Sequence, residues 1–111
     1  MKYRKDAELL IAALKDEPAN ERYVFYVAQS YRDCGELALA LSYYKQRAGM
    51  GGWDEEVWYS LYQCARLSEL LGKSHEEVLS AYLLAYEARP TRVEPLVSLA
   101  AYCRCRSDWN V

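Results

Sequence analysis

Residues 24–44, VFYVAQSYRDCGELALALSYY, and residues 61–82, LYQCARLSELLGKSHEEVLSAY, decide the fold, because each sets similar residue types at similar spacing. In the first, Val24, Val27, Ala28 and Tyr31 recur at three- and four-residue steps, Gly35 interrupts, and Ala40 and Tyr44 resume the period. In the second, Leu61, Cys64, Ala65 and Ser68 lead to Gly72, and Val78, Tyr82, Ala85 and Pro90 follow. Apolar residues so spaced share one side of an α-helix, and a glycine between two such runs ends one helix and lets the next turn back. Leu96, Leu99, Ala100 and Cys103 open a third copy, while Leu10, Ala13 and Pro18 are spaced like the tail of an earlier one. The step from Val24 to Leu61 is 37 residues and from Leu61 to Leu96 is 35. Extra residues fit the turns at 50–53 and 73–75, where added length costs little.

Working outward, the same period predicts six helices over 4–16, 21–34, 36–49, 54–71, 75–88 and 93–106, with no alternating run long enough for a strand. Pro18 with Asn20, Gly35, the Gly49-Met50-Gly51-Gly52 run, Gly72 and Pro90 supply the breaks. Ser74 with Glu77 and Thr91 with Glu94 have capping-box spacing, and Asp54 reads as an N-cap with Trp53 and Trp58 as a hydrophobic staple. Glu55 and Glu56 then lie in a first turn, where the helix dipole favours carboxylates. Pro95 suits the first turn of the last helix or marks a later start. Ala28, Ala65 and Ala100 are expected where paired helices approach closely, with Tyr44 and Tyr82 filling the space against them.

This order of apolar, small, tyrosine and proline positions resembles the tetratricopeptide repeat. The resemblance implies an all-α, right-handed array of antiparallel helical hairpins, with a half-repeat at 1–18, repeats at 19–53 and 54–91, and a half-repeat at 92–111. Three stretches also resemble the helical segment that follows the catalytic domain in bacterial family 2 glycosyltransferases. They are Phe25 to Asp33 (FYVAQSYRD), Met50 to Ser60 (MGGWDEEVWYS) and Glu87 to Arg92 (EARPTR). Such transferases resemble a nucleotide-sugar-binding α/β domain with an Asp-x-Asp metal site, yet no two Asp here stand two apart. The resemblance therefore implies an accessory repeat segment, a fragment of a longer chain or one encoded alone, and brings no catalytic residue.

The 111 residues amount to one domain, with 52% hydrophobic and 27% charged residues and a net charge of −2. A mild acidic excess argues against nucleic acid as a partner. No apolar run reaches the ~20 residues of a membrane span and no signal-peptide core opens the chain, so a cytoplasmic protein is expected. Four Cys without a Cys-x-x-Cys, and His75 as the sole histidine, leave no zinc pattern, so no metal or cofactor is implied and the thiols read as free. Eleven Tyr and three Trp against one Phe are the compositional peculiarity. Their rings with polar tips suit both helix interfaces and binding grooves.

In repeats of this kind the first helix of each hairpin lines the concave face. Projection at three- and four-residue spacing puts Arg22, Phe25, Tyr26, Gln29 and Asp33 there from one helix, with Arg32 at the edge, Tyr59, Tyr62, Gln63 and Arg66 from the next, and Glu94, Ser98 and Arg104 from the third. Rings, amides and guanidinium groups in one strip suit a peptide or protein ligand carrying an anionic group, and equally a glycan. A non-catalytic binding or scaffolding module is the leading expectation; a carbohydrate-handling accessory domain and a structural self-association element are the alternatives. The last rests on the ends, where Leu9 to Leu14 and Leu96 to Tyr102 are apolar nearly all round and call for neighbours.

Overall fold

The computed structural model describes residues 2–107, and within them the chain is an all-α array of six helices with no strand. They are α1 (Lys2–Asp16), α2 (Glu21–Asp33), α3 (Leu37–Ala48), α4 (Asp54–Leu70), α5 (His75–Ala88) and α6 (Glu94–Ser107). Residues 108–111 of the last expected half-repeat lie outside the described part. Consecutive helices pack on one another throughout, giving an elongated body of 53 × 30 × 18 Å. No helix of the described residues is long and apolar enough to cross a membrane.

The turns show why the helices end where they do. After α2, Gly35 takes φ +85°, the Glu36 N–H reaches the Tyr31 carbonyl at 2.9 Å and the Gly35 N–H reaches Arg32 at 3.1 Å. After α4, Gly72 at φ +69° repeats the pattern, with Lys73 bonding to Ser68 at 3.0 Å and Gly72 to Glu69 at 3.1 Å. Both are Schellman endings, in which a left-handed residue lets two N–H groups satisfy carbonyls that the helix abandons. Ser74 caps α5 through the Glu77 N–H at 3.2 Å. Two expected starts differ. Trp53, not Asp54, is the N-cap of α4 and makes no side-chain cap bond, so Asp54 already lies inside the helix. The Thr91 box does not form either, because α6 begins at Glu94, whose carboxylate accepts from Arg92 instead.

Two core clusters follow the repeat. Tyr44, fully buried, packs with Ala28, Ala40, Leu41, Cys64 and Leu67, joining α2, α3 and α4. Tyr82 packs with Ala65 and Val78 against Tyr62 and Leu99, joining α4, α5 and α6. Each large ring sits against a fully buried alanine, as the repeat predicts. The third alanine differs: Ala100 is exposed, because no described helix follows α6 to cover it.

A buried charged pair joins the end of α3 to the start of α4. Arg47, at the end of α3, has no exposed surface; its Nε donates to Glu56 Oε1 at 2.7 Å and its Nη1 to the Gly51 carbonyl at 2.5 Å. Gly51 and Gly52 reach this position at φ +72° and +85°, and a Cβ on Gly52 would stand 2.5 Å from the Glu21 carboxylate. Removing one member of a buried pair strands the other charge. Arg47→Ala is accordingly expected to lower the unfolding free energy by about 3–5 kcal/mol, read as a fall in the urea midpoint. The double change Arg47→Met, Glu56→Met is expected to recover most of that loss.

Candidate functional site

The face shared by α2, α4 and α6 is assembled by side chains that cross between these helices. Asn20 fixes the start of α2 by accepting from the Arg22 and Tyr23 N–H groups at 3.1 and 3.2 Å. From that start Phe25, Gln29 and Arg32 follow one another along the helix side nearest α4. Arg32 Nη1 donates to the Tyr59 hydroxyl at 2.8 Å, and Phe25 meets the Tyr59 ring edge-on at 5.8 Å. Between them opens a cleft of about 260 Å³ lined by Phe25, Gln29, Trp53, Glu55, Glu56 and Tyr59.

Of the residues expected on this face, Gln29 and Tyr59 line the cleft, while Arg32 does not but is bonded to the Tyr59 hydroxyl and to Asp33 at 3.4 Å. Arg22 is exposed; its Nη2 donates to the Tyr26 hydroxyl at 3.1 Å and its guanidinium lies over the Trp53 ring at 5.6 Å. Tyr26 and Gln29 also line a second groove of about 500 Å³ against α1. Tyr62 turns the other way, stacking on Trp58 at 5.5 Å and 11° and sharing a hydrogen bond of 2.8 Å with Ser98 of α6. Arg66 is exposed, and its bond with the Tyr62 hydroxyl, the largest of several influences, favours its charged form. Gln63 is half-buried. The expected strip is thus three adjoining neighbourhoods, because a three-residue step along a helix rotates Tyr62 about 60° from Tyr59.

Several residues of the cleft had been read from sequence as helix-start chemistry alone. Trp53 is 58% exposed and lines the cleft, whereas Trp58, buried, goes into the α4–α6 junction under the Arg92 guanidinium at 4.7 Å. Those opposite destinations undo the expected staple between the two rings. Glu55 accepts from Arg89 at 3.1 Å and from Arg92, and Glu56 is held by Arg47. Three adjacent carboxylates exceed what one helix dipole asks for, and Arg89 and Arg92 mark the turn that takes up one of them. With both carboxylates paired, the cleft offers rings and one amide; the exposed Arg22 guanidinium lies over its Trp53 wall, and the exposed Arg66 follows Tyr59 two turns further along α4.

A further gap of about 470 Å³ lies between α3 and α5, lined by Ala48, Leu61, Cys64, Ala81 and Leu84, with Lys45 and Glu77 also on its walls. The chain matches no protein-family model and no curated protein.

Burial pushes the Cys64 thiol up to about 12, far above the ordinary value of about 8.5. At a pH of about 8.5, a thiol-directed alkylator mapped by mass spectrometry is expected to modify the exposed Cys105 and to spare Cys64 until urea unfolds the chain.

Proposed function

We propose that this chain is a non-catalytic binding module of the tetratricopeptide type, the accessory repeat segment of a glycosyltransferase-type protein, which holds a peptide or protein partner on the α2–α4–α6 face. The observation that carries this reading is the charge-balanced aromatic cleft with the exposed Arg22 guanidinium over its Trp53 wall. An apolar or aromatic side chain of an extended ligand fits among Phe25, Trp53 and Tyr59, where water is displaced from rings on several sides. Gln29 supplies hydrogen bonds that a backbone amide can return, and Arg22 and Arg66 attract acidic residues beside the anchor. The repeat spacing and the stretches at Phe25 to Asp33 and Met50 to Ser60 support the family assignment. Thiols at Cys34, Cys64 and Cys105 that form no disulfide suit a reducing, cytoplasmic setting. Nucleic acid is not an expected partner, and no catalytic residue, metal or cofactor is assigned.

A second reading is favoured by Trp53 itself. A tryptophan 58% exposed next to an amide and a carboxylate is also a platform for the apolar face of a sugar, which would make the cleft an acceptor-glycan subsite.

Fluorescence anisotropy with acidic, neutral and basic peptides bearing one aromatic anchor, alongside a panel of glycans and nucleotide sugars, separates the two. The peptide reading expects preference for the acidic peptide, weakened about 5–30-fold by Trp53→Ala and by Arg66→Ala at unchanged helicity, with only Arg66→Ala reducing the salt dependence. Selective glycan binding lost in Trp53→Ala supports the second reading. Binding that neither variant alters removes the site from this face.

A further inference from the structure

The two ends of the array are complementary halves of one hairpin. In the repeats, Ala28 of α2 and Ala65 of α4 have no exposed surface, covered by the following helix through Tyr44 and Tyr82. At the same repeat position on α6, Ala100 is exposed, and it belongs to an exposed stripe of Val93, Leu96, Val97, Ala100, Ala101 and Arg104. That spacing is one continuous side of a helix, with Val97 62% exposed near its middle. α6 is therefore a first helix whose second is not supplied by the described chain.

α1 shows the converse. Aligned at Pro18 and Pro90, Leu10 takes the place of Tyr82, Ala13 that of Ala85 and Asp6 that of Val78. Val78, Tyr82 and Ala85 are closed against the array, whereas Asp6, Leu10 and Ala13 remain partly open and neighbouring Leu9 is 67% exposed. Asp6, Leu9 and Leu10 form one wall of the groove of about 500 Å³ whose other wall is Tyr26, Gln29 and Asp33 of α2. A first-type helix, packed on α1 as α4 packs on α5, would fill that groove.

Charge specifies which helix. Helices α1 and α2 run in opposite directions, so Asp6 near the start of α1 and Asp33 at the end of α2 lie toward the same end of the groove. An α6 laid antiparallel to α1 brings its own C-terminal end there, and the exposed side chain on that end of its stripe is Arg104. The internal precedent agrees: Glu69, which holds the position of Arg104 one repeat earlier, accepts from the Tyr82 hydroxyl at 2.7 Å, and Tyr82 corresponds to Leu10.

We propose that the chain associates head to tail, with α6 of one copy lying in the α1–α2 groove of a second copy, and with Arg104 facing Asp6 and Asp33. The contact is heterologous: each copy uses two different surfaces, so the array extends from copy to copy. This assembly goes beyond the ligand reading and does not depend on it.

Two exposed positions test it by light scattering and sedimentation velocity, from micromolar to near-millimolar chain. The wild type is expected to gain mass with concentration, whereas Leu9→Arg, which blocks the groove, and Val97→Arg, which blocks α6, each stay monomeric. Mixed in equal amounts, the two variants are expected to form a dimer and nothing larger, because one intact groove meets one intact α6. A wild type that remains monomeric overturns the proposal. So does loss of association in Val97→Arg with none in Leu9→Arg, which is the signature of a two-fold α6–α6 contact. A mixture that fails to regain the dimer overturns it as well, and circular dichroism of each variant keeps that result from being a folding failure.

Discussion

Arg47 is the constraint to which the rest of the array is referred. A guanidinium with no exposed surface leaves water at a cost of several kcal/mol, and only close partners offset it. Here they come from two directions, the Glu56 carboxylate in the first turn of α4 and the Gly51 carbonyl in the turn before it. Both charges also sit well with their helices, a cation in the last turn of α3 and an anion in the first turn of α4. The pair dictates the turn: a carbonyl presented to Arg47 requires the backbone to pass through positive φ at Gly51 and Gly52, and Gly52 must lack a Cβ because Glu21 occupies that space. Thus α3, α4 and the N-terminus of α2 converge on one loop, and the α2–α4 cleft inherits its width from it.

The second junction is built from weaker material. Glu55 bridges Arg89 and Arg92, but all three side chains are about one-third exposed, where ion pairs contribute roughly 0–1 kcal/mol. The Arg92 guanidinium over the buried Trp58 ring adds about 0.5–2 kcal/mol, more as water is excluded. Trp58 then stacks on Tyr62, whose hydroxyl reaches Ser98, so α6 is positioned through a relay of rings. The consequence is a graded array, firm from α2 to α4 and softer at α6, where the exposed stripe lies. Local opening in helical arrays begins at such weakly coupled terminal elements.

Most of the helix boundaries were legible because glycine and proline act locally. Gly35 and Gly72 end α2 and α4 through their own φ angles, and no distant residue has to be known to read them. The alanine and tyrosine register was legible for a related reason, since close approach at Ala28 and Ala65 repeats wherever a complete hairpin repeats. What escaped is pairwise and distant. Asp54-Glu55-Glu56 satisfies the rules of a helix start, so nothing local reveals that Glu56 is spent on Arg47 and Glu55 on a turn more than thirty residues away. Trp53 and Trp58 have the five-residue spacing of a staple, yet with Trp53 itself the N-cap one ring lines an exposed cleft and the other enters a buried relay. The expected face residues lie on α2 and α4 but in separate neighbourhoods rather than one strip, because helical projection gives an angle and not the neighbour waiting at that angle.

The pairing of the cleft carboxylates bears directly on what the face can recognise. Unpaired, Glu55 and Glu56 would make the α2–α4 cleft a cation site, and Arg22 and Arg66 would work against it. Neutralised by Arg47, Arg89 and Arg92, they leave the rings of Phe25, Trp53 and Tyr59 in a neutral recess, and on the proposed function the exposed guanidinium groups would become the charges a ligand meets. On the proposed reading, polar selectivity is thereby separated from apolar anchoring: the recess contributes desolvation and the arginines contribute orientation. On that reading, the arginines that pair with Glu55 and Glu56 also set the sign of the charge around the cleft, so a change at Arg47, which lines no part of it, would alter binding.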